Sequence, residues 1–403
     1  MRTPSDLISK RALGVDASGI RKVFDLAARM KDPINLSIGL PDFDVPDVAK
    51  LAAIDAIKAG NNRYTQTQGI APLRDRLRAD LSREMGRDVG DVLITSGVSG
   101  GLLLAMLAVI DPGDEAIFLD PYFVMYTHLL TMAGGKAVTV DSYPDFRFHA
   151  DRVEKAITPR TKMLILNSPS NPTGVVMSEA EVRDAVDVAR RHGLLILSDE
   201  IYEPFLYDAV GSGQGTVGSE DKQGQKQASN LFPAPCPLPP AHYLPTPARL
   251  YENTLVLRGF SKSHAMTGWR LGYAAGPDWV VSQMTKLQQY TFVCAPSPLQ
   301  LAAVVALDVP MKQYVDAYQT KRDLAYSILS KKFDVEQPGG AFYIFPKAPP
   351  GMTASEFVTR AIDHNVLIIP GNVFSARDTH FRISYATTDE KLKQGCEILC
   401  SLT

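Results

Sequence analysis

The sequence predicts an α/β protein: a large domain on a mostly parallel, seven-stranded type of sheet, joined to a smaller α+β domain. Three observations carry that expectation. Short apolar runs alternate with helical stretches through the middle of the chain, the pattern of a parallel sheet covered on both faces. The polar residues able to do chemistry fall just after those runs, at strand ends, where open α/β sheets bind ligands. The chain has 403 residues, enough for two packed domains.

In chain order, DVLITSG (91–97) reads as a strand running into the helical GLLLAMLAVI. Strands EAIFLDP (115–121) and KMLILNSP (162–169) follow. A charged helix, EAEVRDAVDVARRHG, separates these from LLILSDE (194–200), and TLVLRGFSK (254–262) closes the set. Runs of this length bounded by turn formers are strand signals. The large domain is therefore placed at 47–285. From 286 to 403, helical patterning leads to GGAFYIFP (339–346), VLIIPG (366–371) and HFRISYA (380–386), strands of the small domain. The segment 1–46 is expected to pack with it. Residues 209–248 are rich in Gly, Ser, Gln and Pro and lack apolar periodicity. They read as a flexible insertion or a lid.

Composition narrows the function. Hydrophobic residues are 45%, charged residues 21%, and the net charge is −2, which offers neither nucleic acid nor an anionic membrane a reason to bind. The most apolar helix-like run, Leu102–Ile110, is about half the length of a membrane span. The start, MRTPSDLISKRALG, lacks the apolar core of a secretory signal. The four cysteines fit neither a disulfide framework nor a paired zinc motif, so no metal and a reducing, cytoplasmic compartment are expected. Cys396 and Cys400, four apart on a helix, read as packing residues.

Several motifs remain to be explained. SPSNPTG (168–174) follows a strand. Asp199 and Tyr202 follow another, three residues apart. FSKSHAMTGWRLGY (260–273) sets Lys262 and Arg270 eight apart, SGVSGG (96–101) joins a strand to a helix, and HFRISYA carries Arg382. Taken singly, these are equally a plain turn, a helix cap, a solvated lysine, a tight turn and an edge-strand ion pair.

Taken in order, Asn-Pro-x-Gly, strand-Asp-x-x-Tyr, Ser-Lys and Gly-x-Arg-x-Gly resemble the class I/II aminotransferases of pyridoxal-5′-phosphate (PLP) fold type I, the aspartate aminotransferase superfamily. The likeness runs from IGLPDFDVP (38–46) to FRISYATTDEKL (381–392); only 209–248 has no counterpart. It implies that Lys262 forms an imine with PLP and shuttles a proton, and that Asp199 faces the ring nitrogen. A carboxylate about 4 Å from a cation at an effective dielectric of 20 is worth roughly 4 kcal/mol, or about three pK units. By the same resemblance Asn171 and Tyr202 meet the phenolic oxygen, and Phe123 stacks on the ring with Tyr122 as the fallback. The Asn171–Pro172 bond falls where the family often has a cis peptide. Gly97, Val98, Ser99, Ser261 and Arg270 hold the phosphate, the strand–helix turn supplying free N–H groups. Gly259 stands where the family often has a phosphate-binding serine, with Ser261 as its substitute. Arg382 grips the substrate carboxylate, a task suited to a guanidinium fork, and Gly39 adds a backbone N–H. Tyr64, in NNRYTQTQGIAPLR (61–74), matches a tyrosine that reaches the neighbouring subunit's phosphate in a homodimer.

The function implied is an aminotransferase moving an amino group between an L-amino acid and a 2-oxo acid by a ping-pong mechanism. A C–S β-lyase of the same fold is the alternative, and a PLP-binding regulator a more distant one. Some aspartate- and prephenate-acting relatives carry a basic residue in the phosphate loop, where this chain has Val98-Ser99-Gly100. Aromatic, branched and alanine-type donors are therefore equally open.

Overall fold

The computed structural model describes residues 4–16, 19, 23, 28, 30–208 and 243–403. After β1 (Ile34–Asn35) come β2 (Asp91–Ser96), β3 (Glu115–Asp120), β4 (Lys136–Asp141), β5 (Thr161–Asn167), β6 (Leu195–Asp199), β7 (Thr254–Gly259) and β8 (Leu271–Gly276). These last seven form one sheet in the order β2-β8-β7-β6-β5-β3-β4. All neighbours are parallel except β8, which runs against both β2 and β7.

Alternation along the strands decides which residues meet which layer. Leu93, Phe118, Ile165, Leu197 and Leu257 point to one face, under Leu102, Met106 and Met284. Ile117, Leu164, Leu166 and Ile196 point to the other, under Val182, Val186 and Ala189. Both faces are buried, which is why these strands read as unbroken apolar runs. The helix Glu179–His192 begins at a Ser178–Glu181 capping box and ends at left-handed Gly193, as its sequence requires. Two strands of this sheet escaped the sequence reading. Edge strand β4, KAVTVD, is largely exposed, and β8, LGYAAG, has small residues because it lies against other backbone.

The C-terminal part holds β9 (Tyr343–Ile344), β10 (Val366–Leu367), β11 (Ile369–Pro370) and β12 (Phe381–Ser384). Strands β11-β12-β9 form an antiparallel sheet, and β1 pairs in parallel with β10. The run VLIIPG is therefore divided between two sheets. The β1–β10 pair ties the segment before residue 47 to the C-terminal part, with Ile34 and Leu36 inside its core. Cys396 is buried in that core on the helix Asp389–Ser401, and Cys400 is partly buried beside it. Of the stretch 209–248, residues 209–242 lie outside the described residues. Leu244, Thr246 and Ala248 are buried. Among the described residues no helix is long and apolar enough to cross a membrane.

Candidate active site

The parallel strands end on one side of the sheet, and antiparallel β8 begins there. Asp199 closes β6, Asn167 closes β5, and Ser96, paired with Leu271, closes β2. That edge borders a cavity of about 330 Å³ lined by Val98, Ser99, Phe123, Asn171, Asp199, Tyr202, Ser261, Lys262 and Arg270, with Leu40, Leu102, Met125, Asn167, Ile201 and Thr267. Residues scattered over more than 170 positions are gathered because strand ends, not sequence neighbours, meet. Tyr122 lies outside that lining and packs edge-on against Phe118; Phe123 supplies the cavity's aromatic wall.

Arg270 sits just before β8, and the Ser96–Leu271 pairing carries it to the start of the helix Gly97–Val109. Its Nη2 donates to Ser99 Oγ at 2.6 Å and to the Ser96 carbonyl at 3.3 Å. No side chain caps that helix, so its first N–H groups remain available to an anion. Gly97 has φ +68°, and a Cβ there would stand 2.5 Å from Arg270 Nη2. The glycine at 259 has a similar cause: a Cβ would meet Gly272 Cα at 2.9 Å. Close backbone approach of β7 and β8 leaves no room for a serine Cβ here unless the backbone shifts.

Lys262 lies on the single-turn helix Phe260–Ser263. Its Nζ donates to the Gly39 carbonyl at 2.6 Å. Burial, then the charges of Arg382 and Arg270, bring its pKa down to about 8. Asp199 is buried, and burial raises its carboxyl to about 6, against the hydrogen bond from Tyr126 and the Ile201 N–H. Tyr202 is buried, its hydroxyl 2.9 Å from that of Tyr343. The Asn171–Pro172 peptide is cis, and Asn167 Oδ1 accepts from the Asn171 N–H at 2.9 Å.

Arg382, on β12, is 1% exposed. Its two Nη groups donate to Asn171 Oδ1 and the Ser37 carbonyl, each at 2.8 Å. Its Nε has no partner among the described residues. The guanidinium lies between the rings of Tyr343 (4.4 Å) and Phe374 (4.7 Å), a desolvated arrangement that favours cation–π attraction. Gly39 contributes its carbonyl to Lys262, and among the described residues its N–H has no hydrogen-bond partner. Tyr64 stands apart from the cavity and is 84% exposed.

Four residues escaped sequence reading: Tyr126, Asn167, Tyr343 and Phe374. Only Tyr126 left a signal. It lies three residues after Phe123, across the start of the helix Met125–Ala133, and their rings meet edge to face at 5.7 Å. Tyr343 and Asn167 act through partners far along the chain, Tyr202 and Asp199, and Phe374 reaches Arg382 only through the folding of β11 onto β12.

The residues present fit PLP. An uncapped helix start beside Arg270 suits a phosphate, a buried carboxylate at Asp199 suits a protonated ring nitrogen, and a lysine amine of lowered pKa suits an aldehyde. The orphaned Nε of Arg382 leaves a donor for a carboxylate.

Residues 31–399 match the family described as aminotransferase class I and II. The chain is 35% identical to aromatic-amino-acid aminotransferase 2 of Thermococcus litoralis, covering 97% of this chain and 96% of that protein. It is 34% identical to aspartate aminotransferase of Pyrococcus abyssi, with 95% of each covered. A solved double mutant of Thermus thermophilus aspartate aminotransferase superposes with a TM-score of 0.86 at 32% identity, over 100% of both chains. The chain thus belongs to the class I and II aminotransferases, PLP-dependent enzymes that move an amino group between an amino acid and a 2-oxo acid.

Proposed function

We propose that the cavity at the sheet edge is the catalytic centre, that it works by a ping-pong cycle, and that its preferred amino donors have apolar side chains, aromatic ones included. The carrying observation is the division of charge around it. Lys262 and Arg270 are the cations of its lining, Arg382 adjoins it through Asn171, each has a task, and the remaining wall includes Leu40, Leu102, Phe123, Met125 and Ile201. Among the described residues no further cation lines it to receive a second carboxylate. The Thermococcus relative's name supports this reading, and the Pyrococcus relative's name marks the competing one.

When bound, PLP supplies an aldehyde for the amino group and a ring that takes up the electron pair of the breaking Cα–H bond. Lys262 would hold the cofactor, and its Nζ would carry the proton from the substrate Cα. Asp199 keeps a negative charge opposite the ring nitrogen. Asn171 and Tyr202 donate to the phenolic oxygen. Arg270, Ser99, Ser261 and the N–H groups of Gly97, Val98 and Ser99 hold the phosphate, and Phe123 covers the ring. Arg382 orients the substrate carboxylate, assisted by the Gly39 backbone. The donor leaves as a 2-oxo acid before the acceptor enters.

The same reading divides the chain into a large domain at 47–285 and a small one at 286–403 joined by 1–46, in a homodimer of the cytoplasm. Helix Asp47–Lys58 exposes Val48, Leu51, Ile54 and Ile57, and Tyr64 and Tyr290 lie open nearby in sequence and fold. Such a stripe fits a second copy of the chain, with Tyr64 entering the neighbour's phosphate site. The described cysteines are unpaired, in keeping with a reducing compartment.

Half-reactions of holoenzyme with single amino or 2-oxo acids, followed by cofactor absorbance, test the substrate reading. Phenylalanine and leucine should react faster than aspartate. A preference of more than about tenfold for aspartate would overturn the apolar assignment, and release of pyruvate and ammonia without transamination would overturn the reaction.

A further inference from the structure

Tyr343, on β9, touches two parts of the site at once. It is 1% exposed. Its hydroxyl lies 2.9 Å from that of Tyr202, and its ring carries the Arg382 guanidinium at 4.4 Å. The antiparallel pairing of β9 with β12, Tyr343 opposite Ser384, brings it beside Arg382. Gly39 makes room for it, since a Cβ there would overlap the Tyr343 oxygen, and the Gly39 carbonyl in turn holds Lys262.

We infer that Tyr343 is a positioning residue with two separable tasks: its hydroxyl aims the Tyr202 phenol, and its ring holds the carboxylate-binding arginine. The inference rests on Tyr202 being the cofactor contact proposed above. The proton count gives the direction. A phenol has one proton. When Tyr202 gives that proton to the cofactor's phenolic oxygen, its own oxygen can only accept from Tyr343, so Tyr343 donates. Donation into Tyr202 polarises it and strengthens its hydrogen bond to the cofactor. The ring task is independent of that proton, because cation–π attraction uses the face of the ring.

Two variants separate the tasks, each measured on purified holoenzyme without turnover. The first reading is the pH midpoint of the visible absorbance of lysine-bound cofactor. Tyr343→Phe keeps the ring and removes the proton, and should move the midpoint upward by roughly half a unit. Tyr202→Phe should move it further, and the double variant no further than Tyr202→Phe. The second reading is the dissociation constant of 3-phenylpropanoate, which has a carboxylate and no amino group. Tyr343→Phe should leave that constant within about twofold, and Tyr343→Leu should raise it roughly fivefold or more. An unmoved midpoint in Tyr343→Phe, with Tyr202→Phe shifted, overturns the relay and leaves Tyr202 in place. Strictly additive shifts overturn it too. An unmoved midpoint in Tyr202→Phe overturns the site reading itself. Wild-type affinity in a folded Tyr343→Leu variant overturns the ring's task.

Discussion

The Tyr126 hydroxyl donates a 2.7 Å hydrogen bond to Oδ2 of Asp199, and both side chains are buried. A second tether, Asn167 Nδ2 to the Asp199 carbonyl at 3.0 Å, holds the backbone. The carboxylate therefore has a fixed direction and, among the described residues, no cation of its own, which leaves it open to a positive partner. Asp199→Ala should fold yet bind PLP roughly ten- to a hundredfold more weakly, the range for a charge-assisted hydrogen bond. Asp199→Glu should keep more activity than Asp199→Ala. Equilibrium titration of apoprotein with PLP, together with single-turnover rates, checks this. Wild-type values in both variants would leave Asp199 as a structural cap.

Lys262 gives a pH prediction. Only the neutral amine attacks an aldehyde, and burial first, then Arg382 and Arg270, bring its pKa down to about 8. The rate at which apoprotein takes up PLP should climb through about pH 8 and level off above it. Stopped-flow absorbance measures that profile. A midpoint near the ordinary lysine value of 10.5 would mean the amine is solvated.

Gly97→Ala puts a methyl group 2.5 Å from Arg270 Nη2 at a backbone φ of +68°. Arg270 must move off the phosphate position, and the left-handed backbone costs about 1 kcal/mol. The variant should stay folded with a slightly lower melting temperature and lose PLP affinity by roughly tenfold or more. Unchanged affinity would remove this turn from the phosphate site.

Arg382→Lys keeps the charge and loses the fork that meets Asn171 and Ser37 and stacks between Tyr343 and Phe374. KM should rise for amino and 2-oxo substrates together, roughly tenfold or more, with PLP content unchanged. Steady-state kinetics on both half-reactions decides it. An unchanged KM for either substrate would contradict a shared carboxylate site.

Tyr64→Ala and Lys262→Ala should complement each other. Each homodimer is impaired, but a mixed dimer with Tyr64 acting in trans has one doubly damaged site and one intact site. Activity after verified subunit exchange should exceed both parents. No gain would refute the shared-site reading of Tyr64.

Much of this protein was legible before folding. Parallel strands buried on both faces advertise themselves as apolar runs, so β2, β3, β5, β6 and β7 were visible, and the residues at their ends marked the ligand side. Edge strand β4 and glycine-rich β8 were not, because exposure on one and backbone contact on the other remove the apolar signal.

The sequence by itself determined the chemistry available: a lysine, an aspartate, two arginines and a glycine turn, each in a local setting that short-range rules can read. Only the tertiary structure decided how those groups are held. Tyr126 and Asn167 on Asp199, and Tyr343 and Phe374 around Arg382, are pairings made by strand order and antiparallel register. Gly259 shows the same division. As a letter it is a missing serine, and in the fold it is the space that β7 leaves for Gly272. Local spacing encodes what a residue is able to do. The packing of distant segments sets its direction, its protonation and its company, because burial and hydrogen bonding across the fold do not follow from sequence distance.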